Sequence, residues 1–168
     1  MSTYQVNQIA DWFLSAIDRE AGDTISHLKL QKLMYYAQVW SLALNGSSLF
    51  EEDFEAWTHG PVLPSLWQRF KEFGQESIPL QAIISTTEFS TEDEKLLFDI
   101  LNSYGDLSAK HLEELTHSET PWREARGNLP IEVRSTNLIS KTTMQAYYRK
   151  LYEEQDDDSS GSTAYFWI

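Results

Sequence analysis

Four histidines, His27, His59, His111 and His117, are the side chains best suited to bind a metal or move a proton near neutral pH. No two of them stand four apart, the spacing at which one helix face offers two imidazoles to zinc. His111 and His117 are six apart, on different faces of any helix that carries both. Cysteine is absent, which removes thiolate ligands and disulfides together. The adjacent acids Glu51-Glu52 and Glu113-Glu114 would point about 100° apart on a helix, too far to share a proton. The seven glycines are scattered singly, so no phosphate-cradling loop forms, and no Gly-x-Ser-x-Gly elbow is present. The expectation is therefore no catalytic set, no cofactor and no metal. The enzymatic alternative requires His59 and His117 to converge with a carboxylate inside one pocket.

The densest run of distinctive side chains is Trp57-Thr58-His59-Gly60-Pro61-Val62-Leu63-Pro64. Two readings stand side by side. In one, a stiff loop presents Trp57, His59, Pro61 and Leu63 to a partner, since aromatic anchors dominate interface energetics. In the other, the Gly-Pro turn is wedged against a core helix, with Trp57 inside and the histidine tied to backbone.

The elements that must position this run can be read from periodicity. Val6, Ile9, Ala10, Phe13, Leu14 and Ile17 predict a first helix over about Thr3 to Arg19. Ser26 offers an N-cap to a second, from about His27 to Leu44, closed by Asn45-Gly46. That helix is apolar on two opposite sides, so it belongs at the centre of the fold. Phe54 to Trp57 is briefly extended, and His59-Gly60-Pro61 is a turn. A third helix starts near Pro61 or Pro64. Residues 75–89 form a connector in which Ile83-Ile84 could pair as a short strand. Ser90 caps a fourth helix ending at Gly105, and Asp106 or Ser108 caps a fifth. Thr120-Pro121, read as N-cap and first helical position, opens a short sixth. The last helix is expected over about Lys141 to Glu154, burying Met144, Tyr147, Tyr148 and Leu151. The fold class is mainly α: one compact domain over residues 1–154 around a buried central helix (about residues 27–44), with at most minor strands.

Beyond it, residues 155–168 continue an acidic run, pass through Ser159-Ser160-Gly161-Ser162, and finish Tyr165-Phe166-Trp167-Ile168. Such an aromatic end after a flexible spacer is a docking segment or folds back on the domain. Those four residues join Trp57, His59, Pro61 and Leu63 as partner-binding candidates.

Acids outnumber bases 26 to 13, a net charge of −13, which disfavours nucleic-acid backbone and anionic membrane alike. It suits a basic protein partner, whose encounter rate such a field raises roughly 10- to 10³-fold. No apolar run reaches the ~18 residues needed to span a bilayer, and no signal peptide is visible. A cytoplasmic protein is expected.

Several separated blocks then resemble a known family. Leu28 to Gln38, Leu49-Phe50, Phe54 to Val62, Leu96-Leu97, Tyr104 to Ala109, Leu115-Thr116-His117 and Thr120-Pro121-Trp122 are similar, in the same order over about residues 6–126, to the Panacea domain. That family is also known as SocA-like antitoxins and phage-associated GepA-like proteins. The resemblance implies a compact helical antitoxin that neutralises a cognate toxin by direct contact, with no catalytic set to carry over. It implies toxins of varied kinds, including alarmone-synthetase-type enzymes that attack translation, and in one member delivery of the toxin to a cellular protease. A phage-derived protein that engages host machinery is the other reading it opens. Partner choice would then reside in the N-terminal helix and residues 127–168.

Overall fold

The computed structural model describes residues 4–158 and, among them, seven α-helices and one hairpin: α1 (Val6–Ala16), α2 (His27–Asn45), β1 (Glu55–Trp57), β2 (Gly60–Val62), α3 (Pro64–Phe70), α4 (Thr91–Tyr104), α5 (Ala109–Ser118), α6 (Thr120–Arg126) and α7 (Lys141–Asp158). Single 3₁₀ turns follow at Lys71–Phe73 and Leu80–Ala82. No described helix is long and apolar enough to cross a membrane.

The central position of α2 is borne out. Ser26 accepts from the Lys29 amide at its start, and Gly46, at φ +72°, ends it by donating to the Leu42 carbonyl. Every residue from Leu30 to Ala43 is buried, including four polar side chains that the periodicity had left aside. Each of these fastens backbone that a helix alone could not hold. Gln31 exchanges two hydrogen bonds with the Leu63 amide and carbonyl, at 2.8 and 3.2 Å. Gln38 does the same for the Leu49 amide and Phe50 carbonyl, at 2.8 and 3.0 Å. Ser41 donates to Ser47 and Lys32 to Pro61. Burying these groups costs little because each has its partner, and the result is that α2 shapes the whole 47–63 segment.

That segment contains a hairpin: the stretch to Trp57 is extended as expected, whereas Gly60 and Pro61, expected in the turn, belong to its second strand. Strand β1 pairs antiparallel with β2 (Ala56 opposite Pro61, Trp57 opposite Gly60), leaving Thr58-His59 as the turn. Gly60 is required: its φ is +110°, and a Cβ there would lie 2.6 Å from Lys32 Cε. On the other edge of β1, the Ala56 amide donates to Asn137 and the Ile139 amide to Phe54, both at 2.8 Å. The chain before α7 is thereby tied to the hairpin. Helix α3 starts at Pro64, with Leu66 and Phe70 buried.

Several boundaries differ from expectation. Helix α1 is shorter at both ends, starting at Val6 and giving way to an extended Ile17. Ile83-Ile84 forms no strand, because Asp11 of α1 captures the Ile84 and Ser85 amides instead. Asp11 also holds the Arg69 guanidinium, so one buried carboxylate joins α1, α3 and the connector. Thr120 is not the cap of α6. Glu119 occupies that extended position, with its side chain turned into the core. Helix α7 runs on to Asp158, past the expected end at Glu154, with ion pairs one turn apart at Arg149–Glu153 and Lys150–Glu154.

Around the middle of α2 the core is aromatic. Tyr36 stacks on Tyr104 with ring centroids 4.1 Å apart, and Tyr148 of α7 meets Tyr35, Tyr36 and Trp40 edge-on. Glu119 sits among them, accepting from the Tyr36 hydroxyl at 2.6 Å and the Tyr148 hydroxyl at 2.9 Å. Burial pushes its carboxyl up to about 7, against the two tyrosine bonds, which act to lower it.

Candidate functional site

The hairpin turn and its flanks line a cleft of about 600 Å³. One wall is the start of α2, with His27, Leu28 and Gln31. Trp57, Thr58, His59 and Val62 of the hairpin and Trp67 of α3 form the second. The loop after α6, through Glu132, Arg134, Ser135 and Thr136, closes the third side.

Trp57 is half-buried, its indole N–H donating to Glu55 at 2.8 Å and its ring 5.7 Å from that of Trp67. It lies between the two readings of the sequence, one part packed on Trp67 and one part lining the cleft. The Lys71 ammonium lies 5.3 Å from the Trp67 ring, a cation–π distance. His59 is 67% exposed and sits 3.0 Å from the Glu113 carboxylate of α5. Pro61 and Leu63 are buried, which corrects their selection as contact residues. Leu63 is held by Gln31 and Pro61 by Lys32, so they set the hairpin's shape and leave contact to others. Tyr165, Phe166, Trp167 and Ile168 lie outside the described residues.

The remaining histidines divide. His111 is exposed on α5. His117 stacks on Trp122 at 4.0 Å, and burial, the largest influence, pulls its pKa down. Its Nε2 has no hydrogen-bond partner, so it does not extend the His59–Glu113 pair into a relay. Among the described residues no group of three His, Asp or Glu side chains is placed to hold a metal. Lys32 is buried behind the hairpin, and the loss of water lowers its pKa to about 8 despite the Glu113 charge. With its ammonium 3.3 Å from the Pro61 carbonyl, it braces the turn.

The side chain that sequence reasoning missed is His27. It is only 4% exposed, lines the cleft, and has neither ring nitrogen hydrogen-bonded. Burial, with Lys32 adding to it, pushes its pKa down to about 4, so the ring is neutral at pH 7. A hint was available: an imidazole directly after the N-cap of a helix that is otherwise apolar on two sides. Trp67 was missed as well, and the loop lies inside the 127–168 stretch to which the resemblance gives partner choice, with none of its residues singled out. Leu129, Ile131 and Val133 alternate with Pro130, Glu132 and Arg134, a period-two signal in a stretch given no structure, and all three are exposed. Their backbone is held by Arg126 of α6, whose buried guanidinium donates to the carbonyls of Pro130, Val133 and Ala56 at 2.8, 2.7 and 3.2 Å.

The arrangement offers aromatic surface, a neutral imidazole and a rim carrying one acid and one base, which is the make-up of a recognition surface. A family model described as antitoxin SocA-like, Panacea domain, matches residues 30–123. Antitoxin SocA of Caulobacter vibrioides (strain NA1000 / CB15N) is similar, at 32% identity over 109 residues. That stretch is 58% of this chain, which in turn spans 58% of the length of that relative. No solved structure matches. The family match takes in α2 from Leu30, the hairpin and Trp67. His27, Leu28 and the 129–136 loop fall outside it.

Proposed function

Because this chain belongs to the SocA-like antitoxin family of Panacea domains, we propose that it neutralises a cognate protein toxin by binding it directly in the cytoplasm. The observation that carries the reading is the family match, which spans α2, the hairpin and α4 through most of α6. A surface of net charge −13 supports a partner with a basic face, the kind that handling RNA demands. A toxin that attacks translation suits that description. Binding rather than catalysis accords with a cleft in which Gln31 is braced to backbone and the one acid and one base of the rim, Glu132 and Arg134, stand with no metal-holding cluster among the described residues.

The test is expression of the gene encoded beside this one, alone and together with this chain, followed by co-purification. Restored growth together with a stable complex is the expected result. A harmless neighbour, or rescue without a complex, overturns the proposal. The charge component predicts several-fold weaker binding between 0.05 and 0.3 M salt. His59→Ala leaves rescue intact on this reading, whereas loss of rescue with the complex preserved would point to chemistry at the His59–Glu113 pair.

A further inference from the structure

Most buried polar side chains in this fold are spoken for. Gln31, Gln38 and Ser41 hold backbone, Asp11 takes Arg69 and two amides, Glu119 takes two tyrosines, and Arg126 takes carbonyls. His27 is different. It gives up water on folding and receives nothing in return, and it does so on the wall of the cleft beside the hairpin. A buried polar group without a partner is a standing cost, relieved by whatever brings one.

We propose that this cleft seats an aromatic side chain of the partner protein, a tyrosine or tryptophan whose hydroxyl or indole N–H bonds His27 while its ring lies against Trp57 and Trp67. The proposal rests on the antitoxin reading and names the place where the toxin is gripped. Four features select this occupant. The tilted Trp57–Trp67 pair supplies the faces and edges that another ring packs on. A neutral imidazole provides one donor and one acceptor, sealed from solvent in the free chain, which a hydroxyl or indole N–H can meet once the ring turns toward the cleft. A phosphate or an ammonium would find no net countercharge, because the rim's Glu132 and Arg134 cancel and the imidazole carries none. Finally, Leu28 (37% exposed) on the cleft wall and Ile131 and Val133 (50% and 42%), beside the lining residues in the chain, give the apolar surround that keeps water from such an anchor.

The decisive experiment uses the full chain with the toxin encoded beside it, the dissociation constant being measured by calorimetry. His27→Leu is expected to weaken the complex about tenfold, and Leu28→Glu or Val133→Glu about thirtyfold or more, all with unchanged circular dichroism. Hydrogen exchange is expected to slow on binding at residues 27–31, 57–67 and 131–136. A normal wild-type complex with all three variants within about twofold overturns the cleft assignment and leaves the antitoxin reading standing. Absence of any wild-type complex takes down both. A small molecule retained by the isolated chain in native mass spectrometry and lost in His27→Leu reassigns the cleft to that ligand. A dimer of this chain abolished by Leu28→Glu reassigns it to a second copy.

Discussion

Glu119, buried against α2, and His27, buried in the first turn of that helix, are treated by the fold in opposite ways. Glu119 reaches the middle of the helix from the start of α6 and finds two tyrosine hydroxyls waiting. His27, at the helix's first turn, finds the rings and aliphatic walls of a cleft. The first region is a closed packing problem, in which every polar atom that could cost energy is paired and the aromatic rings interlock around it. The second is left open, with surface and hydrogen-bonding capacity that the chain itself does not consume. Stability is concentrated where polar groups are satisfied, and the proposed recognition site lies where one is not. The contrast is sharper because one helix carries both.

The largest effect expected of a single change falls in the closed region. Tyr148→Ala removes a fully buried ring and one of the two donors to Glu119, and should cost about 3–5 kcal/mol in denaturant unfolding. A loss below about 1 kcal/mol would mean that the aromatic cluster is not the stability centre. Next come the two ionisable groups, whose signs are opposite. The Glu119 carboxyl is raised from 4.5 to about 7, so the folded chain holds a proton that the unfolded chain has lost. Its contribution is fully present below pH 4.5 and disappears as pH rises through 7. Glu119→Gln should therefore gain on the wild type by about 2 kcal/mol on going from pH 5 to pH 8. The His27 imidazole is lowered from 6.5 to about 4, so its contribution is present above pH 6.5 and lost as pH falls toward 4. His27→Leu should match or exceed the wild type at pH 7, and outdo it by a further ~2 kcal/mol at pH 5. The two windows overlap with opposite slopes. Either single variant should thus show a steeper pH–stability curve than the wild type between pH 4.5 and 6.5, as melting temperatures across that range will reveal. Smallest of all, Ile131→Ser on the cleft's outer loop should change stability by no more than about 0.5 kcal/mol. A larger loss there would place the loop in the core's cooperative unit and blur the distinction between the regions.

How far each region could be read in the sequence follows from the range of the forces that build it. The caps of α2 and α4 at Ser26 and Ser90, the stop at Gly46 and the extended stretch leading to Trp57 are local features where residue spacing puts them, and of the two caps it allows for α5 the chain uses Ser108. Gln31, Lys32, Gln38 and Ser41 look in sequence like interruptions of an apolar helix. They are buried because the 47–63 backbone, far along the chain, needs them. Glu119 was passed over for Thr120 as the cap of α6 since a carboxylate facing inward makes sense only beside Tyr36 and Tyr148. The hairpin candidates were half legible. Trp57 and His59 reach the cleft or the surface, whereas Pro61 and Leu63 carry the anchoring that makes the presentation rigid. The spacing of His27 says only that it shares no helix face with another histidine, and its isolation among apolar neighbours is a property of three dimensions.

Arg126 gives the 129–136 loop an unusual independence. Its guanidinium takes hold of the loop by carbonyl oxygens, atoms that every residue type supplies alike. The side chains of Leu129, Ile131, Glu132, Val133 and Arg134 thus take little part in keeping the loop in place, and most of their exchanges leave its path unchanged. A lineage of such proteins can rewrite what the cleft's outer lip displays one letter at a time, without refolding the scaffold behind it. For an engineer the same geometry makes the loop a cassette, with Arg126 as the clasp.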